Sequence, residues 1–334
     1  MRTPDQAPAL AWVWPLALLG ALYATPAALI TVTDPTKGLA LAAGVLPAAA
    51  LGLPGPRRAR VATIVLGVLI GASMTVGALL AEHPVIAVIG IFALSVLAAL
   101  MAPRGKVGRL ALGLCLPMVG IGLSFGEPVE AAGLGLLMAA GSVYACAVSM
   151  LWPARPRPPA PAPGEARAAT GRTVDFGIRL GLAASTAAAI GFAADLEHVG
   201  WACAAVLLVM RPSGDMVRSR GVDRTLSVLV GATGACLLVL IDPSNAVLAV
   251  AVAAAVIALA ATNRSKRYIT GTFTTFVVFL LLLNGSPQDA GHRFLERVLE
   301  TLLGVGLALL FGVIVPRVQR GIQRRRDSPT DPGR

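Results

Sequence analysis

Apolar residues along this chain fall in long runs, and short polar segments rich in Arg, Pro and Gly separate them. The runs are about 16–24 residues long, which is the length a helix needs to cross a hydrocarbon core about 30 Å thick. Within lipid each backbone amide has to be satisfied inside its own segment, so each run predicts a helix. The pattern predicts twelve spans, at roughly 10–31, 38–53, 61–81, 84–101, 107–124, 128–151, 174–194, 197–211, 223–241, 245–262, 268–284 and 293–316.

The composition supports an integral membrane protein. Hydrophobic residues make up 56% of the 334 residues and charged residues only 13%. Soluble domains carry about 25% charged residues. A chain of this composition has too little polar surface to cover a globule that faces water on all sides.

Positive charge is confined almost entirely to one set of loops and to the two termini. Among the 28 Lys and Arg, only Lys37, Arg179, Arg293 and Arg297 lie elsewhere. Because basic segments are not translocated easily, both termini are predicted to be cytoplasmic and the protein to lie in the cell membrane. The net charge of +11 is therefore attributed to topology and to contact with anionic lipid head groups, and no nucleic-acid partner is expected.

The chain is also predicted to be a tandem repeat, because a shift of 160 residues superposes similar residues from the two halves. The matched pairs include Arg58 with Arg218, Arg60 with Arg220, Gly71 with Gly231, and Arg104 with Arg264. Six spans in each half give the halves the same orientation, as expected for parallel repeats related by an axis along the membrane normal. The fold class predicted is an all-α polytopic membrane protein of about 12 transmembrane helices, arranged as two parallel six-helix repeats.

The domain boundaries follow from this repeat and from proline content. Residues 1–152 form the first membrane repeat and 173–317 the second. Between them, 153–172 is a Pro-rich cytoplasmic linker, since consecutive prolines favour an extended, solvated segment. Residues 318–334 form a basic cytoplasmic tail.

Motifs of soluble enzymes find no support in the sequence. The four cysteines lie inside predicted spans, and no two are close enough for a ligand pair. The three histidines lie on the outer side near acidic residues, where ordinary loop histidines are favoured over a metal or pH-sensing cluster. The sequence contains no phosphate-binding glycine loop, nucleophile elbow or HExxH motif. We predict no enzymatic activity, no cofactor and no metal.

Charged residues inside spans are costly in lipid and are therefore candidates for a substrate pathway. Arg179 lies in the seventh span, and its structural alternative is a snorkelling arginine paired with Asp175. Arg297 and Glu300 are three residues apart, so they share one face of the last span, where an ion pair is the structural alternative.

The segment between residues 197 and 235 carries the remaining charged candidates. Trp201 leads an apolar run and is expected near the outer interface, where indole rings settle. Arg224 leads the next run, with Arg218 and Arg220 in the loop before it. These three arginines are predicted to collect anions at a cytoplasmic mouth. A charge that merely sets the topology is the alternative for Arg224.

This order of residues resembles a known family. A Trp-led helix ending in Arg-Pro-Ser, then an Arg-led helix with small residues, is similar to the fusaric-acid-resistance-like (FUSC) aromatic acid exporters, which are related to plant malate channels. The last span, RVLETLLGVGLALLFGVIVP, looks like the family's closing helix. The segment TGTFTTF resembles a Thr-bearing span and adds Thr270 and Thr274 to the candidate pathway. The resemblance covers the membrane parts only, because the family's large cytoplasmic domains have no counterpart here.

The resemblance implies export of organic anions, aromatic carboxylates among them. No Asp or Glu lies near the middle of a predicted span, so proton antiport is not assumed. The inside-negative potential already drives an anion outward by about 2.3 kcal/mol per charge per 100 mV. The expected partners are a small organic anion and membrane lipids, and a homodimer remains an open option.

Two other classes stay open. A major-facilitator-type transporter also has six plus six spans, but its loop between the second and third spans usually carries an acidic residue, and LPGPRRAR has none. A non-transporting membrane scaffold is the other alternative, because the large cytoplasmic domains are missing.

Overall fold

The computed structural model describes residues 8, 10–52, 56–153, 170–284 and 290–327. Within these ranges the chain is helical and contains no strand. Most of the predicted linker, at 154–169, lies outside the described residues, as does 328–334 of the predicted tail.

The helices of the first half are α1 (Trp14–Thr33), α2 (Pro35–Leu51), α3 (Ala62–Ala81), α4 (Pro84–Met101), α5 (Lys106–Leu110, continued by a π-helical turn at Ala111–Cys115 and by Leu116–Gly122) and α6 (Pro128–Met150). A one-turn helix, Arg57–Arg60, precedes α3, and a 3₁₀ turn, Ala102–Arg104, follows α4. The helices of the second half are α7 (Thr170–Ala193), α8 (Gly200–Val209), α9 (Gly214–Leu240), α10 (Asn245–Ala261), α11 (Arg267–Asn284), α12 (Ala290–Leu309, followed by a π-helical turn at Leu310–Ile314) and α13 (Val315–Asp327).

Local sequence explains several helix starts. Pro35, Pro84 and Pro128 occupy the first position of α2, α4 and α6, where a missing N–H costs no intrahelical hydrogen bond. The Asp34 carboxylate also caps α2 by accepting a hydrogen bond of 3.0 Å from the backbone N–H of Lys37. Turn residues between the apolar runs therefore fix where these helices begin.

The protein is a multi-pass membrane protein by helix length and apolarity. Eight helices in the described ranges are long and apolar enough to cross a membrane, and three apolar segments are shorter, at Val107–Gly122, Gly200–Val209 and Asn245–Ala261. The shortest, α8, has ten residues and is about 15 Å long at 1.5 Å per residue, about half the hydrocarbon thickness. The predicted span at 197–211 is therefore too long, because the helix covers only its middle.

The predicted loop at 211–224 is wrong for most of its length, because α9 begins at Gly214. The Ser213 hydroxyl accepts from the backbone N–H of Met216 at 3.3 Å, and Asp215 lies in the first turn, so both favour an early helix start. Arg218 and Arg220 consequently lie on the helix. Arg224 is therefore about 15 Å into α9, whereas the sequence predicted that it begins this helix.

The described part of the predicted tail has a defined secondary structure. The helix continues through the π-helical turn after α12 and on to Asp327 as α13, so the described part of 318–334 is helical.

Two hydrophobic cores hold the bundle together, and each contains helices from both halves of the chain. One core is built mainly from α1, α2, α10 and α11, and the other from α4, α5, α7, α8 and α12. Helix α1 packs along α10 and α4 along α7, while α2 contacts α11 and α5 contacts α8. Within the halves, α2 packs on α6 and α8 packs on α12.

Candidate charged site around helix α8

Helix α8 is the element around which the candidate site is built. Every one of its residues except Leu208 is buried, and it contacts α5, α7, α9 and α12. Small residues such as Ala202 and Ala205 allow the neighbouring helices to pack closely on α8, and Gly304 of α12 lies directly against both. The charged side chains of the second half gather beside this buried helix.

A cation–π stack joins α12 to α8. The guanidinium carbon of Arg297 lies 3.1 Å from the centroid of the Trp201 ring. His198 meets the same ring edge-on, with 5.6 Å between the ring centroids. Trp201 is 7% exposed, so its indole packs against neighbouring helices and does not face lipid. Its face is occupied by a cation that has been taken out of water.

Arg297 and Arg224 bring two positive charges together inside the bundle. They come from α12 and α9, and they are close enough to repel each other electrostatically. Arg297 is buried, whereas Arg224 is partly exposed with its Nε buried. The Nε atoms of both lack a hydrogen-bond partner among the described residues. Unsatisfied buried donors are uncommon in folded proteins, so they mark this pair as a candidate functional site.

Glu300 is the buried carboxylate beside these arginines. It is 3% exposed and feels the charge of Arg297, but its Oε1 has no hydrogen-bond partner within the described part of the chain. No ion pair within 4.0 Å joins Glu300 to a described arginine. The next residue, Thr301, has a buried hydroxyl that is also unpartnered. Thr301 was not a candidate from the sequence, because a lone threonine on an apolar helix does not indicate a functional site.

A second cluster closes the site on the side where α12 begins. Arg293 pairs with Glu197 at 2.7 Å, and His198 Nδ1 lies 3.3 Å from Glu296 Oε2. Burial lowers the pKa of His198, and the carboxylates of Glu296 and Glu197 offset this effect only in part. The sequence places these residues at the ends of two predicted spans, but it does not show which of them pair.

The same cluster has the donor types of a metal site. The ligand atoms of Glu197, His198 and Glu296 lie within 4.8 Å of one another. However, Arg293 already satisfies Glu197, and it adds a positive charge that opposes a bound cation. The arrangement is described more simply as two side-chain pairs that link the α7–α8 connection to α12.

The opposite end of α8 carries a basic cluster. Arg211 donates hydrogen bonds to the carbonyl oxygens of Leu207, at 3.2 Å, and Met210, at 2.5 Å. Burial, followed by the positive charges of Arg220 and Arg267, lowers the pKa of Arg211. Arg220 lies one turn before Arg224 on α9, so the basic cluster continues toward the buried arginines.

The other candidate residues lie outside this group. Arg218 is exposed on α9, and Arg179 lies on α7, where its Nε donates to the backbone oxygen of Asp175 at 3.1 Å. The Thr270 and Thr274 hydroxyls bond to carbonyls of α11 itself, those of Arg267 and Thr270, at 3.0 and 3.1 Å. The structure therefore brings together Arg224, Arg297 and Glu300, and it places Arg220 one turn before Arg224 on α9. Arg218 and Arg179 lie apart from this group.

A bundle of long apolar helices with buried charges inside it is typical of membrane transporters. Residues 186–311 match the profile of the family described as fusaric acid resistance protein-like. This segment runs from α7 into the π-helical turn after α12 and contains Trp201, Arg224, Arg297 and Glu300. The resemblance found in the sequence is therefore confirmed for this part of the second half. No curated protein and no solved structure matches the chain.

Proposed function

We propose that the protein carries organic anions, aromatic carboxylates among them, outward across the cytoplasmic membrane. The observation that carries the proposal is the approach of Arg224 to Arg297 beside Glu300. It leaves an excess positive charge inside the bundle with no ion-pair partner among the described residues. An anionic substrate supplies the missing charge and accepts from the unsatisfied Nε donors. The Trp201 ring adds an aromatic surface beside the same site.

A continuous basic track supports this pathway. It begins at Arg211, Arg220 and Arg267, continues one turn along α9 to Arg224, and crosses to Arg297 on α12. Arg224 is about 15 Å from the start of α9, and Arg297 is about 10 Å from the start of α12. Because α9 and α12 begin at opposite ends of the bundle in the proposed topology, these distances support a position of both arginines well inside the membrane.

The repeat gives a second argument for function over packing. The shift of 160 residues places Leu41, Ile64, Leu137 and Ala140 at the positions that correspond to Trp201, Arg224, Arg297 and Glu300. If the halves are equivalent, the same helix packing forms in the first half from apolar side chains alone. The charges of Arg224, Arg297 and Glu300 are then not needed for packing, which supports a role in function.

Helix packing supports the proposal of two parallel six-helix repeats. The contact of α1 with α2 recurs between α7 and α8, and that of α2 with α6 recurs between α8 and α12. Across the halves, α1 packs on α10 as α7 packs on α4, and α5 packs on α8 as α11 packs on α2. We accordingly keep 1–152 and 173–317 as the two repeats, with 153–172 as linker and both termini cytoplasmic.

The experiment is a flux assay with the purified full-length chain in liposomes. Radiolabelled benzoate loaded inside should leave faster than from empty liposomes, and an inside-negative potential should accelerate its exit. Arg224→Gln should lower the rate at subsaturating benzoate about tenfold or more, since a charge-assisted hydrogen bond contributes about 1.5–3 kcal/mol. Arg224→Lys keeps the charge and should retain part of the rate, while Arg264→Gln removes an exposed arginine and should behave as wild type.

Two outcomes would count against the proposal. Flux equal to that of empty liposomes, from protein shown to be folded, would favour the membrane scaffold. Flux that is unchanged in Arg224→Gln at low salt would leave a transporter whose anion site lies elsewhere. The transporter class is favoured over an enzyme by the family whose profile matches part of the second half.

A further inference from the structure

A large cavity lies at the end of the bundle where α7 begins and α12 ends. Its volume is about 1520 Å³, above the roughly 300–1,000 Å³ typical of small-molecule pockets. Its walls come from the end of α4, the first half of α7, the start of α9, the π-helical turns of α5 and after α12, and the first turns of α13. Neither Arg224 nor Arg297 lines it, so it is separate from the candidate transport site.

The cavity has an apolar wall and a basic rim. Phe176, Leu182, Phe311 and Ile322 form much of the apolar lining. The rim carries Arg179, Arg317 and Arg320, together with the carboxylates of Asp175 and Asp215, so positive charge is in excess.

Two of the rim arginines are anchored by hydrogen bonds within their own helices. The Nε of Arg179 donates to the backbone oxygen of Asp175, and the Nε of Arg320 donates to the backbone oxygen of Pro316, each at 3.1 Å. The Asp175 carboxylate attracts Arg179 and Arg320 repels it, but neither arginine forms an ion pair within 4.0 Å among the described residues. Their remaining guanidinium nitrogens can therefore converge on one anionic group.

Helix α13 adds exposed apolar residues beside the basic rim. Val318 and Ile322 are four residues apart, so they share one face, and they are 55% and 51% exposed. The neighbouring positions carry Arg317 and Arg320. Exposed apolar residues beside arginines are typical of a helix that lies in the interface and contacts lipid.

We propose that this cavity binds the head group of an anionic phospholipid from the leaflet on that side. Its phosphate lies between Arg179 and Arg320, and an acyl chain follows the apolar wall past Phe176 and Leu182. Basic pockets between membrane helices recognise anionic lipids in this way, because charge and apolar surface are both complementary to the lipid. A lipid bound here has no bearing on whether the protein transports anions, so the two proposals can fail separately.

The test measures lipid binding to the purified full-length protein by native mass spectrometry and by thermal unfolding. Phosphatidylglycerol should remain bound and raise the unfolding temperature more than phosphatidylcholine does. The double variant Arg179→Gln/Arg320→Gln should lower the apparent affinity for phosphatidylglycerol at least about tenfold, since each basic residue near the surface contributes to head-group attraction. Arg58→Gln/Arg264→Gln, which removes two exposed arginines outside the cavity, should not.

The remaining outcomes would indicate a different ligand in the cavity, or no bound ligand. Equal binding of the two lipids, or wild-type affinity in Arg179→Gln/Arg320→Gln, would overturn the proposal. Stabilisation by inorganic phosphate equal to that by phosphatidylglycerol would indicate a free-anion site. Displacement of the lipid by benzoate would make the cavity part of the transport path. Arg179→Lys/Arg320→Lys keeps both charges, so its recovery of binding would separate a lost site from a damaged fold.

Discussion

Arg297 of α12 lies with its guanidinium carbon 3.1 Å from the centre of the Trp201 ring on α8, so a buried cation and an aromatic face link two helices that are far apart in sequence. The contact ties the closing helix of the bundle to its central short helix. Both residues lie in the segment that identifies the family.

Replacing Trp201 should show how much this contact stabilises the bundle. Trp201→Leu removes the aromatic face and should destabilise the protein by the cation–π contribution, about 2 kcal/mol when desolvated, plus the lost packing. Trp201→Phe keeps a smaller face and should lose less. Thermal unfolding of the detergent-solubilised variants measures the order. A Phe variant as unstable as the Leu variant would show that side-chain volume, and not the stack, is what matters.

A glycine pair on α12 gives a sharper packing test. A Cβ added at Gly304 would lie 2.5 Å from the Ala202 carbonyl oxygen and 2.6 Å from the Ala205 Cβ, whereas one at Gly306 meets nothing within 4 Å. Gly304→Ala should destabilise the protein by about 1–3 kcal/mol through overpacking against α8. Gly306→Ala should be neutral or stabilising, because alanine is the better helix former.

The measurement for this pair is again thermal unfolding, with expression and monodispersity as supporting readouts. Since both changes add one methyl group to the same helix, their difference isolates the contact with α8. Equal unfolding temperatures for the two variants would contradict the close approach of Gly304 to Ala202.

Sequence alone could predict the helices but not all their starts. The runs that became α3, α4 and α6 were predicted within about two residues at each end, because apolar residues fill them and proline or charge bounds them. The start of α9 was missed, since its first turns read Gly-Asp-Met-Val-Arg-Ser-Arg and resemble a polar loop. Ser213 and Asp215 were the available start signals.

The candidate site was predictable residue by residue but not as a group. Arg224, Arg297 and Glu300 stood out because charge is rare in these spans, and the family resemblance supported the two Arg-led helices. Their meeting depends on tertiary packing of α9 and α12 against α8, which no local pattern encodes. Arg218 and Arg220 looked equivalent in the sequence, but helical periodicity turns only Arg220 toward α8, where its Nη1 reaches the Leu208 carbonyl oxygen at 3.4 Å.

His198 should make stability depend on pH. Burial lowers its pKa in the folded protein, so the unfolded chain binds more protons near pH 6 and stability falls as the pH drops. The loss should begin near the ordinary histidine pKa of about 6.5 and level off below the lowered folded value. Glu296, Glu197 and Arg293 face the ring, and the two carboxylates limit the size of the effect.

Unfolding temperatures measured between pH 7.5 and 5.5 test this dependence. His198→Asn should flatten the decline, while His83→Asn, at an exposed turn, should leave it unchanged. A decline in His198→Asn as steep as that of wild type would assign the acid sensitivity to other groups.

Arg60 should be a structural arginine. It is fully buried and donates to the carbonyl oxygens of Ser149, Trp152 and Pro153 at the end of α6, the last two at 2.8 Å. Arg60→Gln should leave some of these carbonyls without a donor and destabilise the protein by about 1–3 kcal/mol or more. Arg58→Gln, two residues earlier and exposed, should be neutral in the same unfolding measurement. If the two variants unfold alike, the buried hydrogen bonds of Arg60 contribute no net stability.

Helix α9 allows a direct test of the proposed topology. Ser219 and Ser244 are exposed near its opposite ends, and the 27 residues of α9 span about 40 Å. Three of the four cysteines are buried, so a background in which the partly exposed Cys115 is changed to Ser should react little with a membrane-impermeant maleimide. In intact cells that reagent should label Ser244→Cys, whereas Ser219→Cys should react only after permeabilisation. Because basic residues surround Ser219 and resist translocation, the reverse pattern would invert the topology, and with it the direction from which the arginines of α9 collect anions.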